Sequence, residues 1–212
     1  MSCQESKHVV KMNPLHTIPV VLVSASPRRQ EMLRNLKIRF KVFVPHVRED
    51  WTSDSTARRT ALDLAIKKSQ KYKGQTALVI AMDTIVVINQ RKLGKPENAE
   101  EARTMLQLLS GQTHQVVTGT ALSWRGRLIT GVETTRVHFR KMTSREIEWY
   151  VQTSEPFDKA GAYAIQGLGR IFINRIDGCY YNVVGFPLAL FQRLLRRFGL
   201  SIFDLQRFAG DR

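Results

Sequence analysis

Val20-Val21-Leu22-Val23-Ser24-Ala25-Ser26-Pro27-Arg28-Arg29 is an apolar run that breaks into small hydroxyl residues and then into two arginines. Such a run, bounded by turn residues, predicts a buried strand. Pro27 suits the first position of a helix, Ser26 is placed to cap it, and Met32, Leu33 and Leu36 supply an apolar stripe, so a helix is expected from about Pro27. Two cations in a first helical turn oppose the macrodipole, whose positive end also carries free N–H groups in need of an acceptor. A phosphate lying at that turn removes the conflict. The alternative is a surface helix with an ill-suited first turn, and the turn alone does not decide between them.

The 212 residues are 43% hydrophobic and 24% charged, ordinary globular values that allow one domain or two small lobes around a substantial core. No apolar stretch approaches the length of a membrane span, and the first residues lack a signal-peptide pattern. A cytoplasmic protein without a membrane anchor is therefore expected, with residues 1–18 as an N-terminal extension, 19–198 as the domain and 199–212 as a C-terminal tail. Cys3 and Cys179 build no disulfide framework and have no metal-ligand spacing, which argues against zinc. The 33 Lys+Arg against 18 Asp+Glu give a net charge of +15, favouring an anionic substrate, nucleic acid or another acidic surface. These basic residues are scattered from Arg28 to Arg207, as solvated faces also are.

Further along, alternation from Ile38 to Val44 predicts a strand ending at Pro45, and helical spacing predicts a helix from about Asp54 to Lys73. Ala77 to Met82 is a continuous apolar run closed by Asp83-Thr84, after which Ile85 to Ile88 resumes it. This is a buried strand with a carboxylate in its middle or at a break, and a buried carboxylate calls for a partner. A helix capped by Asn98, with Glu101 at its third position, buries Ala102, Met105, Leu106 and Leu109 and closes at Gly111. A hairpin turning at Arg125-Gly126 spans Thr113 to Arg140, and Thr143 with Glu146 forms a capping box. Strands are expected from Arg170 to Ile176 and, beyond the Asp177-Gly178 turn, up to Val184; Pro187 opens a last helix. Arg193, Arg196 and Arg197 on that helix have the spacing to contact phosphates.

Six separated segments together resemble one family, the Maf proteins, which are nucleoside triphosphate pyrophosphatases. They are Ser24-Ala25-Ser26-Pro27-Arg28-Arg29, Asp83-Thr84, Lys95-Pro96, Ser110-Gly111-Gln112-Thr113-His114, Asp158-Lys159-Ala160-Gly161-Ala162-Tyr163 and Asn182-Val183-Val184-Gly185-Phe186-Pro187, in family order across residues 19–198. The resemblance implies an elongated α/β fold, a mixed sheet with helices whose two lobes surround a central cleft, assembled as a homodimer. It implies hydrolysis between the α- and β-phosphates of a nucleotide. Arg29 after Arg28, Lys95 before Pro96, and Gln166 resemble the branch acting on dTTP, UTP and related pyrimidine nucleotides rather than the one preferring 7-methyl-GTP.

On that resemblance Ser24, Arg28, Arg29, Lys68 and Lys95 are expected to bind phosphates, and Thr84 and Gln166 to select the substrate. Glu49 and Asp83 are expected to hold Mg²⁺ or Mn²⁺, with Asp83 also the candidate base; a metal-bound carboxylate is a poorer base, so its two roles are alternatives or successive states. Asp158 and Lys159 form an ion pair shaping the cleft, or Lys159 reaches substrate. His114 is read as structural. Met82 and Arg170 depart from the family pattern without removing this chemistry. The rival reading, a nucleic-acid-binding module on the same fold, uses the basic residues but leaves the carboxylates without a purpose.

Overall fold

The computed structural model describes residues 18–47, 55–74 and 76–206. The opening run becomes strand β1 (Val20–Val23), buried throughout, and the chain enters helix α1 (Pro27–Asn35), where the Ser26 side chain accepts the Arg29 N–H. There follow β2 (Lys41–Phe43), α2 (Ala57–Lys71), β3 (Leu78–Ile88), β4 (Arg91–Leu93), α3 (Ala99–Leu109), β5 (Thr113–Trp124), β6 (Arg127–Phe139), α4 (Ser144–Val151), β7 (Ile173–Asp177), α5 (Tyr180–Val184) and α6 (Leu188–Arg196). Asn98 caps α3, the capping box of Thr143 and Glu146 starts α4, and Arg125 and Gly126 both have positive φ in the hairpin turn.

The strands form one seven-stranded mixed sheet ordered β2-β1-β3-β5-β6-β7, with β4 also beside β3. β1 runs parallel to β2 and to Leu78–Ala81 of β3, while β5 runs antiparallel along the other side of β3. β4 takes the β1 side of β3 only from Val86 onward. From Met82 to Ile85, therefore, that side of β3 has no strand beside it among the described residues. The strand itself is unbroken, so Asp83 stands mid-strand.

One face of the sheet carries two hydrophobic cores. In the first, Leu22, Ile80 and Met82 pack with Leu33 of α1 and Phe191 and Leu195 of α6. In the second, Val86, Ile88 and Val137 pack with Leu106 of α3 and Ile147 and Tyr150 of α4. The bare stretch of β3 lies where one core gives way to the other. The opposite face is covered by α2, whose Ala61 packs on Ile85 and Val117. Gly119 of β5 makes that approach possible: a Cβ there would fall 2.2 Å from the Ala61 carbonyl oxygen. Ala61, Ala65 and Lys68 share one helical stripe, so a close α2 also brings Lys68 down onto the sheet.

Four expectations are corrected. The segment ending at Val184 is helix α5, not a strand: Asn182 is fully buried, and its amide donates to the Val116 carbonyl and to Thr135 Oγ1. Gly185, with φ of 98°, then ends the helix. These tertiary bonds override the strand propensity of its tyrosines and valines. The strand expected from Arg170 is a 3-10 turn, Leu168–Phe172, before β7. Helix α2 runs Ala57–Lys71, capped by Thr56, and is shorter than the span expected from about Asp54 to Lys73. β2 is shorter than its alternation implies, because Ile38 makes only an isolated bridge with Gln206.

His114 of β5 is 1% exposed, with Nε2 bonded to the Tyr163 hydroxyl at 2.8 Å and Nδ1 unpartnered. Burial pushes its pKa down to about 3. The unfolded chain takes up this proton near pH 6.5 and the folded chain does not, so His114 lowers stability progressively as pH falls from about 6.5 toward about 3. Melting midpoints of the wild type will thus fall more steeply between pH 6.5 and 4 than those of His114→Phe, whatever the variant's absolute midpoint. Urea denaturation of Gly119→Ala will show a loss of about 1–3 kcal/mol, the range for an overpacked contact, because α2 must lift from β5.

Candidate active site

The turn leaving β1, the bare edge of β3, the segment after β4, residues 158–166 and the end of α5 enclose a cavity of about 430 Å³. Ser24, Arg28, Arg29, Lys68, Asp83, Thr84, Lys95 and Gln166 all line it. Glu49 lies outside the described residues. The described lining carries five cations, Arg28, Arg29, Lys68, Lys95 and Lys159, against two carboxylates, Asp83 and Asp158. This balance suits an anion with several charges.

Successive strand residues point to opposite faces. Asp83 faces α2, where Lys68 Nζ bonds its Oδ1, and both side chains are largely buried. Thr84 faces the other way, its hydroxyl accepting from Arg29 Nη2 at 2.9 Å and lying 3.0 Å from Thr118 Oγ1. Because no strand among the described residues flanks the β1 side of this stretch, both residues reach the same cavity.

The two arginines of the first helical turn divide their tasks. Arg29 is buried, and it donates from Nε to the Gly185 carbonyl at 2.9 Å and from Nη1 to the Met82 carbonyl at 2.8 Å and Ser24 Oγ at 3.2 Å, besides its bond to Thr84. It clamps the β1 turn, the bare edge of β3 and the end of α5 together. Arg28 stays at the cavity wall and pairs with Asp158 at 3.7 Å. Asp158 also holds Lys159, the first of the two arrangements the sequence left open. Partial burial works against ionisation of Asp158, but the Lys159 hydrogen bond and the charges of Lys159 and Arg28 hold its pKa below the usual carboxylate range.

The loop carrying Gln166 is fixed by two residues that sequence reading missed. Glu155 accepts from the Tyr150 hydroxyl at 2.7 Å, the Leu168 N–H at 2.9 Å and the Gly169 N–H at 3.1 Å, while Tyr150 accepts the Ala164 N–H at 3.2 Å. At Gly167 a Cβ would lie 2.1 Å from the Glu155 carboxylate, so the close approach needs glycine. Nothing in the local spacing flags Glu155, since it acts on backbone N–H groups more than ten residues away. Gln166 itself has no hydrogen-bond partner among the described residues and offers the cavity both a donor and an acceptor.

No group of three or more His, Cys, Asp or Glu among the described residues is placed to hold a metal ion. Asp83 nevertheless fits one kind of site. Magnesium and manganese take one or two carboxylates and complete their shells with phosphate oxygens and water. No helix among the described residues is long and apolar enough to cross a membrane.

Comparison with known proteins agrees with this geometry. A dTTP/UTP pyrophosphatase of Halalkalibacterium halodurans is 45% identical over 185 residues, 86% of this chain and 97% of its own. Proteins with the same description from Desulforamulus reducens and Pyrococcus horikoshii are 44% and 45% identical, over 87% and 84% of this chain and 98% and 95% of theirs. The family model described as Maf-like protein matches residues 19–198, which run from the start of β1 through the end of α6 and include every described residue of the cavity wall; the chain belongs to the Maf family.

Proposed function

We propose that the chain hydrolyses dTTP, UTP and related pyrimidine nucleoside triphosphates to the nucleoside monophosphate and pyrophosphate. The observation that carries this reading is a carboxylate, Asp83, set among cations in a cavity whose described lining lies wholly within the stretch matched by the Maf family model, in a chain 45% identical to a protein described as a dTTP/UTP pyrophosphatase. Arg28 and Lys95 bind the phosphate chain, with Lys159 beside them. Lys68 holds Asp83 until phosphate oxygens offer it a competing partner. Asp83 orients a water molecule toward the α-phosphorus and accepts its proton. The new P–O bond leaves the water oxygen on the monophosphate, the bond from the α-phosphorus to the bridging oxygen breaks, and pyrophosphate departs with that electron pair.

Asp83 and Glu49 would hold Mg²⁺ or Mn²⁺, which when bound would neutralise phosphate charge; for Asp83 this role is an alternative to, or a state successive to, that of base. Gln166 reads the polar edge of the base, where uracil and thymine present an N–H beside a carbonyl and an amide can answer both. Thr84 is committed to Arg29 and Thr118, so it shapes the wall under the substrate. Family membership supports a cytoplasmic homodimer as the working form.

Pyrophosphate release from dTTP, UTP, CTP, 7-methyl-GTP and purine triphosphates, with Mg²⁺ or Mn²⁺, tests the assignment. Turnover is expected with dTTP and UTP, and Asp83→Asn should reduce kcat by about 10²–10⁴, the usual contribution of a positioned base. Turnover of no nucleotide overturns the reading, and full activity of Asp83→Asn removes that residue's role. Glu155→Gln keeps a side chain of the same size but weakens the bonds to the 168–169 backbone. Its KM for dTTP should rise several-fold, with kcat changed less, in initial-rate measurements.

A further inference from the structure

The cavity takes five of the 33 basic residues, so most of the positive charge lies elsewhere. At the tip of the β5–β6 hairpin it is organised. Arg127 Nη2 donates to the Arg197 carbonyl at 3.0 Å, and its guanidinium lies 5.3 Å from the Phe198 ring centre. Arg125 lies 4.4 Å over Trp124, and the Trp124 and Phe198 rings meet edge to face at 6.1 Å. The hairpin tip is thereby tied to the C-terminal end of α6, where Arg196 and Arg197 are exposed. Of the three arginines on the α6 surface, Arg193 is engaged by Glu133 at 3.1 Å. Arg125, Arg127, Arg196 and Arg197 make no ion pair with a described carboxylate.

These four arginines have no ion-pair partner among the described residues, and two of their guanidinium groups lie over aromatic rings with N–H donors left over. This is the chemistry of phosphodiester binding: planar forks for phosphate oxygens, fixed in place before the ligand arrives. We propose that this corner binds the phosphate backbone of nucleic acid without regard to sequence. It is separate from the cavity, since none of the four arginines lines it. Along β5, Trp124 is five residues beyond Gly119, the cross-strand partner of Asp83, or about 17 Å.

The test is fluorescence anisotropy of labelled single-stranded RNA and duplex DNA of roughly 20 nucleotides per strand, from about 50 to about 200 mM salt, with pyrophosphate added to occupy the cleft cations. The full chain should bind both probes, with log K falling linearly against log salt. Arg125→Glu/Arg196→Glu/Arg197→Glu leaves Arg127 and its bond to α6 in place. It should weaken binding at least tenfold at the low-salt end and make the slope shallower by about two to three, close to one unit for each phosphate no longer neutralised. Pyrophosphatase activity and circular dichroism should not change. Arg125→Gln/Arg196→Gln should give a smaller effect of the same sign, which keeps the test valid if the charge-reversed variant misfolds. Binding that is absent or is unaffected in the variants overturns the proposal. So does binding to phosphatidylserine vesicles but not to nucleic acid.

Discussion

A single buried guanidinium ties three separate parts of the cleft wall together. Arg29 sits where β3 has left one neighbouring strand and not yet met the next, and there its Nη1 satisfies the Met82 carbonyl that a strand would otherwise engage. Burying a guanidinium costs several kcal/mol unless its donors find acceptors. Here Nε and both terminal nitrogens do, on Ser24, Met82, Thr84 and Gly185. Each bond to a charged donor contributes about 1.5–3 kcal/mol, enough together to offset the desolvation. The acceptors come from three distant parts of the chain, so the bonds form only when all three are in place. Arg28, next in sequence, is thereby left at the cavity wall.

The opposite face is set by contact distance rather than charge. α2 rests directly on the backbone of β5 at Gly119, beside Asp83 across the strand pair. A side chain at that position would lift the helix and with it Lys68. The bond between Lys68 and Asp83 therefore depends on a missing Cβ as much as on the two charges. The Gln166 loop follows a third pattern, a carboxylate that gathers backbone N–H groups. Position at this cleft is supplied by buried polar hubs and one close backbone contact, with hydrophobic cores to either side.

Much of this was legible in the sequence where the governing physics is local. Caps are short-range hydrogen bonds, and Ser26, Asn98 and Thr143 stand where their helices begin. The Arg125-Gly126 turn needs two positive φ values and has them. Eight of the nine candidate site residues line one cavity, Glu49 being outside the described residues. The illegible parts are those decided by partners far along the chain. Tyr180–Val184 has strand-like composition but is turned into a helix by the buried bonds of Asn182 to β5 and β6. Glu155 reads as a loop charge until the backbone it gathers is seen. Arg29 is indistinguishable from Arg28 by type and spacing, and only burial separates the clamp from the group at the wall.

The bare stretch of β3 has an effect on how the site is written into the gene. In a flanked strand, residues serving one pocket recur at every second position, because alternate side chains are hidden behind the sheet. Here the sheet has a window four residues wide, and consecutive residues of opposite parity open onto one space. Two tasks can thus occupy a single dipeptide, Asp83-Thr84. The economy makes the pair intolerant of frame: one residue inserted upstream in β3 would carry the carboxylate to the place of Thr84, beside Arg29, and turn Met82 toward Lys68.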